Sequence, residues 1–523
     1  MSLATLIRRS SLPCPDISMH DAAELLSTHY GLAGSLKELG SHQDRNFLLD
    51  GGDGRRYVLK ICHGDYATSE LDAQHAALRH LGSQSNVRVP GVMSALNGKD
   101  LLSVEVGGHA VHVRLLEFID GQSLAHVEHL SRQVMIGLAE LCAQVDVSLA
   151  GFEHPGLERV LQWDPRHASA LIKHLLPVID SPEKRACIAE AAEQANAHLL
   201  PLIAALPVQA IHMDITEYNV VWARDGHTMW QLQGLIDFGD LVRTWRIADL
   251  SVTCAALLHH AEGDPLYILP AIQAYHAINP LRLEELQALW PLIIARSAVL
   301  VLSSEQQASI EPDNAYIQAN LASEWNIFDV ATSVPIALMN AAILDAVGLL
   351  EGRDDAQAYS PLLPSLNGQA FVTVDLGVLS EHFNAGNWEQ SGIDEQLLKE
   401  TAHAHGLAAS RYGEYRLSRT LPDSAREPAT FALHVEVVIP HGTAVHAPFH
   451  GTLRHTADGA LMLVGAESNL RVWGVRSDFD SGVEFGAGDV IGQGGGSLIV
   501  QLCSEPDVSP PLFCTPSRAA AWR

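Results

Sequence analysis

Basic side chains are scarce in this chain. Lys and Arg number 33 against 61 Asp and Glu, a formal net charge of -28 over 523 residues. Nucleic acid and anionic membranes are bound through a basic face, so the balance speaks against both and leaves a small cationic molecule as a compatible partner. Organised cysteine is missing too. The seven cysteines are odd in number, scattered and without a CxxC pair, so neither a disulfide framework nor a thiolate zinc site is indicated, and a reducing cytoplasm fits best. Long apolar runs are also lacking. The N-terminal "MSLATLIRRSSLPCPD" is too short in its apolar part for a signal sequence. The segments "LWPLIIARSAVLVL" and "VPIALMNAAILDAVGLL" contain Arg296, Asn340 and Asp345. They read as buried helices, too short and too polar to span a bilayer.

What is present supports a large core: 47% hydrophobic and 18% charged residues. At roughly 100 to 200 residues per domain, the length predicts about three folding units. Residues 36 to 62 read as three strands, "LKELG", "NFLLD" and "RRYVLKIC". In the last of these Tyr57, Leu59 and Ile61 alternate with Val58, Lys60 and Cys62. A helix follows in "SELDAQHAALRHL", then a strand in "VHVRLLEF", 111 to 118. From about 126 to 350 the pattern is mostly helical, broken at 208 to 240. Residues 351 to 366 have linker composition. Short β-rich runs from about 425 to 505 predict a small all-β module, and the Pro- and Ser-rich tail reads as an irregular linker. There is no internal repeat.

The chemistry concentrates in "IHMDITEYNVV", 211 to 221, and "LIDFGD", 235 to 240. Phosphoryl transfer asks a protein to neutralise phosphate charge and to aim a hydroxyl in line. A carboxylate can accept the hydroxyl proton, and a second carboxylate with an Asn amide supplies hard oxygen ligands for magnesium. A strand Lys can hold nucleotide phosphates. Asp214, Asn219, Asp237 and Lys60 are the candidates. His212 reads as a group that hydrogen-bonds the loop backbone, and Asp249 as a structural carboxylate at a helix start.

Together "HMDITEYN" and "IDFGD" resemble the catalytic signature of the aminoglycoside phosphotransferase and choline kinase superfamily, whose fold is similar to that of protein kinases. "GSHQDRNFLL", "YVLKI", "LLEFIDGQSL" and "GFEHPGLERVLQWD" look closest to its hydroxylysine-kinase branch, and the resemblance spans roughly residues 20 to 350. It implies an α+β, bilobal kinase-like fold with an N-lobe over 1–110 and a mostly helical C-lobe over 111–350. It implies ATP and Mg2+ as cofactors, Asp214 as catalytic base, Asn219 and Asp237 as magnesium ligands, and Lys60 as the phosphate-binding lysine. "GSHQDRN", with Ser41, His42 and Asn46, takes the place of the nucleotide-covering loop. Leu116 to Ile119, with Glu117 and Ile119, takes that of the adenine hinge. Many relatives pair a helix Glu with the strand lysine. That place holds Gln74 here, so either Gln74 bonds Lys60 without charge or Glu70 substitutes.

The stretches "IPHGTAVHAPFHGTL" and "LRVWGVRSDFDSGVEFGAGDVIGQGGGSLIVQL" resemble the lysostaphin-type metallopeptidase module, related in architecture to lipoyl-like domains. At the positions of its zinc ligands and catalytic histidine stand Ala432, Glu436, Val475, Ser497 and Ile499. Ala, Val and Ile donate nothing to a metal, so no zinc is expected and the resemblance implies a degenerate module. His434, His441, His446 and His450 read as scattered surface imidazoles, and "GQGGGS", 492 to 497, as a turn into a strand. The predicted layout is then a linker and helical segment over 351–424, the degenerate β domain over 425–505 and a linker tail over 506–523. The combination resembles the front of bacterial fusion proteins that continue into a pyridoxal-phosphate enzyme of the class-III aminotransferase fold, which would make such an enzyme a partner.

The reading is an ATP-dependent cytoplasmic small-molecule kinase acting on a hydroxyl of an amino alcohol or hydroxy amino acid, a small cationic substrate for which Trp163, Asp164 and Trp325 are candidate contacts. The alternatives are an aminoglycoside-type antibiotic phosphotransferase and a non-catalytic nucleotide-binding scaffold.

Overall fold

A computed structural model describes residue 12 and residues 14–522, apart from 41–43, 53, 85–86, 126, 128–129, 226–228, 311–314, 350–358, 379, 384–385, 422–426 and 504–508. The chain divides into two compact units, Met1–Leu350 and Glu351–Arg523, where length alone predicts about three.

The first unit opens with an antiparallel sheet. Strands β1 (Gly34–Leu39), β2 (Arg45–Gly51), β3 (Arg56–His63), β6 (His109–Glu117) and β4 (Val92–Met93) follow in that order, and β5 (Leu102–Val106) pairs with β6. The register sets the two faces. Phe47 lies opposite Leu59, and Leu59 opposite Leu115, so one face is apolar and fully buried. Burying a large side chain of this kind stabilises by about 1.5–3 kcal/mol. One residue along, Asn46 faces Lys60 and Lys60 faces Arg114, because side chains alternate along a strand. The pleat thus puts a row of amide, ammonium and guanidinium on the other face. The pairing of β3 with β6 keeps 109–117 in this sheet, so an N-lobe ending at residue 110 would cut a paired strand.

Helix α1 (Thr68–Gln84) follows β3. The helical part contains α2 (Arg132–Leu149), α3 (Ile247–Leu258), α4 (Leu283–Ile310) and α5 (Ala315–Ala331). Two hairpin-like pairs interrupt it: β7 (Val208–Ile211) with β10 (Val242–Trp245), and β8 (Val220–Asp225) with β9 (Met229–Leu235). Helix α4 corrects one expectation. It is 28 residues long, and by length and composition alone it could cross a membrane, yet 78% of its apolar window is buried inside the unit. The predicted buried helix is therefore present, but "too short and too polar" does not describe it.

The second unit is built on a nine-stranded sheet. Its long central strand, Val490–Cys503, pairs with Val435–Val438, Ala444–His446 and Asn469–Arg476. "GQGGGS" lies inside that strand and not in a turn before it. A register shift between Trp473 and Val475 absorbs the irregularity. The segment assigned to a linker and helix contributes strands as well: Val372–Thr373 pairs with Ala408–Ala409, which pairs with Val438 and Val437. The tail is not an irregular linker either. Phe513–Cys514 pairs with Phe431–Ala432, and Cys514 and Ala519 are buried against Phe431 and Leu433. His434 is buried, not on the surface, with Nδ1 at 2.8 Å from the Leu512 carbonyl and Nε2 at 3.2 Å from Glu436.

Candidate active site

Five short elements bring the candidate residues together in the first unit. Lys60 leaves the middle of β3, and its Nζ lies 3.2 Å from Asp237 Oδ1 and 3.8 Å from Asp44 Oδ2. Asp237 stands just past β9 in the left-handed backbone region, at φ 57°. There its Oδ1 also accepts the amide of Gly239 at 3.1 Å. Lys60, then Arg114, hold the Asp237 carboxyl below the usual carboxylate range against the opposing effect of desolvation. The β8–β9 hairpin is held close to the sheet. The Leu235 amide donates to the Arg88 carbonyl at 2.9 Å. A Cβ on Gly234 would stand 2.7 Å from that same oxygen, so the approach requires glycine here.

The loop between β7 and β8 carries Asp214 and Asn219. The Asn219 amide nitrogen donates to Asp214 Oδ2 at 2.6 Å and to the Asp214 carbonyl at 3.0 Å. That use of the nitrogen leaves the amide oxygen as the group able to ligate a metal. The amide of Ile236 donates to the Asn219 carbonyl at 2.9 Å, so Asn219 and Asp237 flank the foot of one hairpin. The Asp214 carboxyl is pushed up to about 7, first by loss of solvent and then by Asp240.

Two buried groups shape this loop. Asp249, in the first turn of α3, accepts the amides of His212 and Met213 at 3.1 and 2.8 Å. Met213 sits at φ 69°, a conformation costing on the order of 1–3 kcal/mol, and the two bonds to Asp249 hold it there. His212 accepts the Asp214 amide on Nδ1 at 3.2 Å, so its Nε2 carries the proton donated to the Ile236 carbonyl at 3.1 Å. Burial lowers its pKa to about 4, which keeps the ring neutral. Among the described residues, Cys142, Asp146 and Asp249 form the one group of three donors close enough to share a metal. Tyr275 donates to Asp146 at 2.6 Å. Burial raises both carboxyls, so a shared proton suits the pair better than a cation.

The other candidates are placed as follows. Asn46 lies beside Lys60 on β2; Ser41 and His42 lie outside the described residues. Glu117 ends β6, with its amide bonded to the Gly91 carbonyl, and buried Ile119 follows. Gln74 receives a hydrogen bond from Arg114, while Glu70 lies 3.5 Å from Arg159. The partners of Lys60 are instead the two aspartates. Asp164 is fully buried and occupied by Arg166 and Thr244, so it is not open to a substrate cation. Trp325 is covered by Lys184 at 4.2 Å and Trp163 by Arg296 at 4.7 Å.

Sequence reasoning missed Asp44, Arg114, Arg159 and Arg296. Arg159 donates to the Gly239 carbonyl at 2.8 Å and so braces the loop after Asp237. It lies within "GFEHPGLERVLQWD", whose composition alone gives no sign of that contact.

A lysine strand facing an aspartate at the foot of a hairpin, with an Asp-x4-Asn loop nearby, supplies the cation, carboxylates and amide that phosphoryl transfer asks for. Comparison with known proteins agrees. Residues 35–286 match the family model described as "Phosphotransferase enzyme family". Hydroxylysine kinase of Danio rerio is 22% identical over 311 residues, covering 57% of this chain and 87% of the relative. That of Xenopus laevis is 24% identical over 338 residues, covering 60% and 88%. Among solved structures, that of a microcompartment-associated aminopropanol kinase superposes with a TM-score of 0.50 at 17% identity, over 64% of this chain and 100% of the other. At that identity the likeness speaks to fold. The matches support phosphotransfer to an alcohol group as acceptor, the activity of a small-molecule kinase.

Proposed function

We propose that the chain transfers the terminal phosphate of ATP to a hydroxyl of an amino alcohol or hydroxy amino acid, with magnesium as the metal. The observation that carries this is the convergence of Lys60, Asp237, Asn219 and Asp214 at one site. Lys60 neutralises nucleotide phosphate. The free oxygen of Asp237 and the amide oxygen of Asn219 are hard donors of the kind magnesium takes. Bound there, the metal supplies charge neutralisation at the transferring phosphate. Asp214 orients the acceptor hydroxyl and takes its proton. A carboxyl tuned to about 7 is suited to that exchange near neutral pH. Asn46, beside Lys60, covers the nucleotide, and Glu117 and Ile119 border the base. The hydroxylysine and aminopropanol kinases among the similar proteins support the acceptor class.

We further propose that the second unit is a degenerate, zinc-free relative of the lysostaphin-type module. The Glu436 carboxylate is taken up by His434 at 3.2 Å and by fully buried Arg416 at 3.5 Å, so a guanidinium serves as its counter-charge. A phosphorylated amino alcohol is a substrate a pyridoxal-phosphate lyase can eliminate, which makes such an enzyme a fitting partner.

The test is a screen of the full chain with ATP and magnesium over hydroxylysine, ethanolamine, aminopropanol and aminoglycosides. The reading predicts turnover with amino alcohols or hydroxy amino acids; turnover confined to aminoglycosides would replace it with the antibiotic-kinase alternative.

A further inference from the structure

Beside Asp214 the first unit holds a guanidinium that its own side chains leave unused. Arg296 projects from the middle of α4 into a recess it shares with Trp163, Pro165, Met213, Ser251 and Leu292. Its charge centre lies 4.7 Å over the Trp163 ring, which fixes the plane of the head group. Nη1 is buried and makes no hydrogen bond, and Arg296 enters none of the ion pairs among the described residues. Asp214, Asp240 and Glu324 sense its charge only at longer range. A buried donor without a partner costs free energy, and here the cost is taken at a position where Met213 lines the same recess and Asp214 is the next residue.

We propose that Arg296 receives the carboxylate of the acceptor, so that the kinase selects hydroxy amino acids over the amino alcohols that lack that group. The inference rests on the small-molecule kinase reading above. A guanidinium is a planar fork that matches a carboxylate with two parallel hydrogen bonds. Met213 lines the recess and Asp214 follows it in the chain, and the charges of Arg296 and Asp214 interact, so an acceptor held at Arg296 has the catalytic carboxylate close by. An amino alcohol would leave the same donor bare, and the discrimination follows from that penalty.

The experiment uses the full chain with ATP and magnesium and compares matched pairs: hydroxylysine with its decarboxylated diamine, and threonine with aminopropanol. Wild type is expected to favour the carboxylate-bearing member in the ratio of kcat/KM. Arg296→Met should lower that ratio about 10- to 100-fold, and Arg296→Lys should retain part of it and serves if the Met variant does not fold. Calorimetric binding of lysine, which has the carboxylate but no acceptor hydroxyl, reads the contact without turnover and should weaken in both variants. Lysine binding that depends on Arg296, with no acceptor phosphorylated, would support the carboxylate site while sinking the kinase reading. Equal losses for both members of a pair, a wild-type preference for the amino alcohols, or lysine binding indifferent to Arg296 would each overturn the proposal.

Discussion

Lys60 Nζ and Asp237 Oδ1 stand 3.2 Å apart although 177 residues separate them in the chain. One comes from the sheet and the other from the foot of a hairpin in the helical part, so their contact closes the site. Groups that act as a unit are non-additive on removal. Lys60→Met and Asp237→Asn should each lower kcat/KM by about 10²-fold or more, and the double variant should be little worse than either single one. Steady-state kinetics on the four proteins checks this; strictly multiplicative losses would separate the two residues.

Asp214 gives a pH dependence whose sign can be worked out. Its carboxyl is raised to about 7 from the ordinary 3.8, so the proton-accepting form is lost as pH falls through about 7. The rate should fall on that acid side, and Asp214→Asn should lose about 10²- to 10⁴-fold. Stability runs the other way. A carboxyl that holds its proton more tightly when folded stabilises the protein at low pH, and this is lost as pH rises from about 4 to about 7. Asp214→Asn should therefore raise Tm relative to wild type at about pH 8 while abolishing most turnover. A pH–rate profile flat across neutrality would contradict the assignment.

Asp249 bears on the same loop from below. Asp249→Ala leaves the amides of His212 and Met213 without their acceptor, at about 1–3 kcal/mol for each unsatisfied group. Urea unfolding should show the loss of stability. Kinetics should show a fall in kcat larger than any rise in the KM for ATP, because the loop that carries Asp214 loses its anchor. Asp249→Asn, which keeps one acceptor oxygen, should be milder on both.

In the second unit, Arg416 is fully buried among Glu414, Asp394 and Glu436. Removing one member of such a group strands the others, so Arg416→Ala should destabilise by roughly 3–5 kcal/mol. Hydrogen exchange in the strands at 435–438 and 498–503 reads it directly. Unchanged protection there would show that the cluster is incidental.

Much of the first unit is legible because its signals are periodic. The alternation of Tyr57, Leu59 and Ile61 with Val58, Lys60 and Cys62 identifies β3, and the spacing of His212, Asp214 and Asn219 identifies the loop. Strands of two residues such as Val92–Met93, Val372–Thr373 and Phe513–Cys514 have no period to read; they exist because a neighbouring strand offers a partner. Arg296 was visible only as a polar break in an apolar run, and Arg114 only as one member of an alternating strand. Their importance comes from what the fold places beside them, Trp163 in one case and Gln74 with Lys60 in the other. Gln74 also shows why a single position misleads: its amide answers Arg114, while the counter-charge for Lys60 arrives from Asp44 and Asp237.

The most direct measurement follows the γ-phosphate of ATP by phosphorus NMR, with hydroxylysine or aminopropanol as acceptor, in wild type, in Asp214→Asn, and in wild type with the metal chelated. The account predicts a new phosphomonoester signal in the wild type with magnesium and its near-complete loss in the other two samples. Phosphomonoester formation that survives Asp214→Asn, or that proceeds without a divalent ion, would contradict it.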